Sequence, residues 1–74
     1  MKAPVIETFE QGMDFVTALE AVSKFGGASV RIHSWLRNGA IDMANRRVTS
    51  LWPRLTKKHK QDILTKYTEL RLER

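Results

Sequence analysis

The sequence predicts an all-α fold, a compact bundle of about four short helices. Apolar residues recur at three- and four-residue spacing in four successive segments. Strong helix breakers separate those segments: Gly26-Gly27, Asn38-Gly39 and Pro53. No stretch of useful length alternates apolar with polar residues as a half-buried strand would.

Residues 1–9 have no helical period, and Pro4 discourages an early helix. The domain boundary expected is therefore a flexible N-terminal arm, 1–10, before a single helical domain, 11–74. In the first helix, about 11–25, Phe15, Ala18, Leu19, Val22 and Phe25 fall on one face. Gly26 and Gly27 are expected to stop it, and a break near Asp14 to Thr17 would make it two shorter helices. The second helix, about 28–37, has Ile32, Trp35 and Leu36 as its apolar stripe and ends at Asn38-Gly39 in the manner of a C-cap. The third follows Asp42, a good N-cap residue, and carries Ala44, Val48, Leu51, Trp52 and Leu55. Pro53 stops it near Leu51 or Trp52. The fourth starts at Thr56, with Ile63, Leu64, Tyr67, Leu70 and Leu72 on its apolar side and an Asp62–Lys66 pair four residues apart.

Size and composition narrow the function classes. A chain of 74 residues is one domain, and a domain this small buries only about 60% of its unfolded surface. There is no Cys, so disulfides cannot reinforce it. His33 and His59 are far apart in sequence with no carboxylate cluster beside them, so no metal site is expected. Self-association is the remedy left. The N-terminus has no signal-peptide run, and no stretch approaches the roughly 18 apolar residues of a membrane span. A cytoplasmic protein with no membrane association is the expectation. No nucleophile–base pair, HExxH, GxGxxG or phosphate-loop motif is present. Glu7, Glu10, Asp14 and Glu20 are too dispersed to suggest a paired acid and base. The reading is therefore not an enzyme, with no catalytic residues, no cofactor and no small-molecule substrate.

Charge is more informative than composition. The net charge is +5, but residues 1–30 carry four acids against Lys2 and Lys24. Residues 31–60 carry Arg31, Arg37, Arg46, Arg47, Arg54, Lys57, Lys58 and Lys60 against Asp42 alone. A block this basic attracts polyanions, and nucleic acid is the natural candidate.

With the turn glycine set at Gly26, Ala21, Val22 and Phe25 lie on the inner side of the first helix. Ile32 and Trp35 point back at them from the second. The segment ALEAVSKFGGASVRIHSWLRNG, about residues 17–41 with its exit WLRNGAI, resembles the helix-turn-helix of phage Cro- and repressor-type regulators. It departs from the common pattern at Val22, Gly27 and Asp42. The resemblance implies that helix 28–37 enters the major groove. Its outward face would be Ala28, Ser29, Val30, Arg31, His33, Ser34 and Arg37. Of these, Ser29, Arg31, His33, Ser34 and Arg37 would contact bases or phosphates. Arg46, Arg47, Arg54, Lys57, Lys58 and Lys60 would grip phosphates beside the groove. Positive charge at Lys57 and Lys58 opposes the helix dipole, and a bound phosphate would relieve that.

The implied function is a small sequence-specific DNA-binding transcriptional regulator of a phage or mobile element. It would be a repressor or an architectural, excisionase-like protein, bound to double-stranded DNA as a homodimer through the last helix and associated with the nucleoid when bound. A second assignment makes the third helix the reader, exposing Asn45, Arg46, Thr49 and Ser50. A different class stays open too: a protein-interaction module, inhibitor or adaptor, whose basic middle docks on an acidic protein partner with Trp52 and Tyr67 as anchors.

Overall fold

A computed structural model describes residues 2–22 and 26–73. Within them the chain forms four α-helices: α1 (Phe9–Val22), α2 (Gly26–Arg37), α3 (Ile41–Leu51) and α4 (Lys57–Leu72). A 3₁₀ turn, Trp52–Arg54, sits between α3 and α4. No strand occurs among the described residues. The architecture is the small all-α bundle that the periodicity predicts.

Helix α1 begins earlier than expected, and a cap explains why. The Thr8 hydroxyl accepts from the Gln11 backbone N–H at 3.2 Å, and the Gln11 side chain accepts from the Glu7 N–H at 2.8 Å. This is a capping box in the Thr-x-x-Gln pattern, shifted by one residue at its return bond. The helix runs unbroken through Asp14 to Thr17, so the two-helix alternative fails. Its described part reaches Val22, and the expected stop near residue 25 lies outside the described residues.

Gly26 and Gly27 do not terminate α1. They form the first turn of α2, and neither has a positive φ. Gly26, expected as the turn glycine, is therefore helical and not left-handed. Phe25, the expected inner residue of the turn, lies outside the described residues. The glycine that does adopt the left-handed region is Gly39, at φ +73°. The Ala40 N–H donates to the Trp35 carbonyl at 2.9 Å, and the Gly39 N–H donates to the Leu36 carbonyl at 3.0 Å. These are the paired bonds of a Schellman motif, so the Asn38-Gly39 stop behaves as the sequence predicts.

Helix α3 starts one residue before Asp42. Ala40 occupies the cap position without a side-chain bond, and Asp42 lies in the first turn instead. Its charge still favours the positive end of the helix dipole. Pro53 falls within the 3₁₀ turn, which ends α3 at Leu51 as expected. Thr56 caps α4, accepting from the His59 backbone N–H at 3.1 Å. Asp62 pairs backwards with Lys58 at 3.1 Å, not forwards with Lys66, which lies 4.0 Å from Glu69.

The core is centred on Phe15, which is fully buried. Trp52 lies tilted against it at 6.4 Å between ring centroids, and Tyr67 meets it edge-on at 6.1 Å. Leu19, Ile32, Val48 and Ile63 complete the centre, with one side chain from each of the four helices. Helix α1 packs on α4 and α2, and α2 packs on α3. Gly12 makes the α1–α2 approach close: a Cβ there would stand 2.5 Å from Leu36 Cδ2.

The N-terminal residues are not a separate appendage. Ile6 is 1% exposed and belongs to the core. The Asn45 side chain clamps its backbone from both sides, accepting from the Ile6 N–H at 2.8 Å and donating to the Ile6 carbonyl at 2.7 Å. Within the stretch expected as an arm, 1–10, Ile6 is packed into the core and α1 already begins at Phe9. An extended segment cannot satisfy its own amides, so a buried one takes partners from elsewhere.

Candidate nucleic-acid interface

Three faces of α2 emerge from its packing. Ser29, Ile32 and Leu36 are buried, Ala28, His33 and Trp35 are half-buried, and Gly27, Val30, Arg31, Ser34 and Arg37 are exposed. Ile32 and Trp35 pack inward, as the sequence spacing requires. The exposed residues recur every three or four positions, so they form one stripe along the side of α2 turned away from the core.

The expected contact residues divide accordingly. Arg31, Ser34 and Arg37 lie on the stripe, and His33 sits on its flank. Ser29 does not belong to it. Its side is 3% exposed, and its hydroxyl donates to the Gly26 carbonyl at 3.1 Å. Ser29 ties down the first turn of α2 because a buried hydroxyl needs a partner and the carbonyl three residues back is the nearest. It cannot contact a base or phosphate in this arrangement.

Val30 is the residue whose exposure stands out. It is 67% exposed in the middle of a polar, cationic stripe, between Gly27 and Ser34 on the same face. Apolar side chains exposed singly are ordinary.

The basic residues of the middle segment are almost free of acids. Among the described residues the ion pairs are Lys58–Asp62 and Lys66–Glu69. Arg31, Arg37, Arg46, Arg47, Arg54 and Lys57 are exposed, and no ion pair among the described residues holds them. Arg31, Arg47 and Arg54 come together along one groove between the start of α2 and the end of α3. Arg37 lies beside Ser34 and Asn38 at the far end of α2. Lys57 and Lys58 are in the first turn of α4, directly after the Thr56 cap.

Two other expectations change. Asn45, a base reader if α3 were the reading helix, is half-buried and spends its amide on Ile6, with a further bond to the Ile41 carbonyl at 3.3 Å. Arg46, Thr49 and Ser50 are exposed on α3, as that assignment expected. Trp52 and Tyr67, the anchors of an alternative protein-docking surface, are 5% and 9% exposed and stack on Phe15. Burial raises the Tyr67 phenol above its ordinary pKa, partly offset by the nearby Arg71 guanidinium, which lies 5.8 Å from the ring centroid.

No group of three or more His, Cys, Asp or Glu side chains that could hold a metal occurs among the described residues. No helix among them is long and apolar enough to cross a membrane. Comparison with family models, curated proteins and solved structures finds nothing that matches this chain.

Proposed function

We propose that this chain is a sequence-specific DNA-binding regulator of helix-turn-helix type, of phage or mobile-element character, that lays the exposed stripe of α2 in the major groove. The observation that carries the reading is the exposed stripe itself. Val30, Arg31, Ser34 and Arg37 project from one side of a short helix, flanked by Arg46, Arg47 and Lys57, which no ion pair among the described residues neutralises, and by Lys58, which pairs with Asp62. A protein that kept such charge only for solubility would have no reason to gather it beside one helix face. Duplex DNA supplies both a dense array of phosphates and a groove wide enough to admit α2.

Within this reading Arg37 is suited to guanine by its planar fork of donors, and Val30 to a thymine methyl. Arg46, Lys57 and Lys58 flank the groove as phosphate contacts. Asn45 is committed to Ile6, which favours α2 over α3 as the reader. The burial of Trp52 and Tyr67 removes the anchors that favoured a protein partner. A homodimer would place two copies of α2 about one helical turn apart on the duplex. Helix α4, with Leu72 82% exposed, offers the apolar contact for it.

Selection of bound duplexes from a random oligonucleotide pool tests the reading directly. A shared sequence is expected, with affinity falling steeply as salt rises. Recovery of no shared sequence, together with no duplex binding at low salt, refutes it.

A further inference from the structure

We propose that the groove between the start of α2 and the end of α3 is a seat for a single backbone phosphate of the duplex, held by Arg31, Arg47 and Arg54. This deepens the DNA-binding reading and rests on it. The three guanidinium side chains come from three separate elements: α2, α3 and the 3₁₀ turn. They line the same groove with Gly27, Ala28, Ser50 and the edges of Ile32 and Leu51, and no carboxylate of the described residues lines it with them. Like charges brought together without a counter-charge repel one another, and an anion between them removes that repulsion.

The surroundings suit a phosphate in particular. The first N–H groups of any helix have no partner within it, and they carry the positive end of the dipole. The first turn of α2 contains no acidic side chain, and Gly27, which lines the groove, has open space where a Cβ would stand. Arg donors match phosphate oxygens in paired geometry. The Ser50 hydroxyl adds a neutral donor on the opposite wall.

The seat changes the role of one residue. Arg31 becomes a backbone contact and fixes where α2 enters the groove. Base reading then falls to Val30, Ser34 and Arg37, farther along the stripe. A free inorganic phosphate would satisfy the same donors, so the test separates the two sources.

The experiment uses the full chain and its Arg31→Gln, Arg47→Gln and Arg54→Gln variants, singly and together. All three side chains are exposed, so the variants keep the fold, and thermal melting verifies this. Duplex binding is measured against salt for the selected sequence and for mismatched ones. Each single variant should weaken all sequences alike, and the triple variant, which gives up the one seated phosphate, should lose about tenfold near 0.1 M salt and lower the log–log salt slope by about 0.9. Neutral methylphosphonate placed at successive backbone positions should cost the wild type affinity at one position per bound copy. The triple variant should be indifferent at that position.

Relaxed preference at one base pair in Arg31→Gln would overturn the seat while leaving DNA binding intact. So would a methylphosphonate profile unchanged in the triple variant. If no duplex binds, the DNA reading falls. Stabilisation of the wild type by inorganic phosphate, lost in the triple variant, would then assign the groove to a soluble phosphate and overturn the backbone source. Absence of both effects removes the seat altogether.

Discussion

Asn45 shows how one side chain can join distant parts of the chain. Its amide makes the two bonds to Ile6 that a neighbouring strand would otherwise make, and so brings residue 6 into a core built mostly from residues 15–67. Replacing it with Ala leaves a buried N–H and carbonyl with no partner, at a cost of about 1–3 kcal/mol. Asn45→Ala should therefore lower the midpoint of denaturant unfolding and open the first seven residues to proteolysis. Two glycines make a matched test of packing. A Cβ at Gly12 would collide with Leu36, itself buried, so Gly12→Ala should destabilise by about 1 kcal/mol despite the gain in helix propensity. At Gly27 nothing lies within 4 Å and the backbone is helical, so Gly27→Ala should stabilise by about 0.5 kcal/mol. Thermal melting of the pair should move in opposite directions.

At the scale of elements, helix ends are where local chemistry and packing meet. The Thr56 cap matters more than usual, because Lys57 and Lys58 oppose the dipole of the helix it starts. Thr56→Ala should cost about 1 kcal/mol, read as a lower melting temperature. The Thr8 cap was equally visible as Thr-x-x-Gln, but the missing apolar period before residue 11 hides it. Helix α4 carries a pH dependence through Tyr67. Its raised pKa means the folded state holds the phenolic proton more tightly than the unfolded state. That contribution is intact below about pH 10, the ordinary phenol value, and is lost as pH rises through the raised one. Melting temperature should fall in that alkaline range, and Tyr67→Phe should remove this part of the fall while other groups titrate as before.

For the whole molecule, the division of charge governs behaviour. The first thirty residues carry a slight negative excess and the next thirty the net positive charge, eight Lys and Arg against Asp42 alone. In the proposed reading, DNA contact falls to the faces of α2, α3 and the start of α4. Val30→Ala should reduce affinity for the selected duplex but not for mismatched ones. Replacing thymine by deoxyuridine, which lacks the methyl, should do the same to the wild type at one position. Equal loss on every sequence would remove Val30 from base reading. Lys57→Ala, by contrast, should weaken all sequences alike in a binding titration.

The order of the helices, the stops at Gly39 and Pro53, and the inward stripe of Ile32, Trp35 and Leu36 were all legible in the sequence. They depend on the 3.6-residue period and on backbone preferences, which act within a few residues. So was the basic middle, because charge is a property of composition. Only the tertiary structure decided that Ser29 turns inward, that Asn45 holds Ile6, and that Trp52 and Tyr67 close around Phe15. It alone gathered Arg31, Arg47 and Arg54 into one groove. Those outcomes depend on which faces of separate helices meet, and an orphaned polar group or an aromatic ring finds its partner only once they have met.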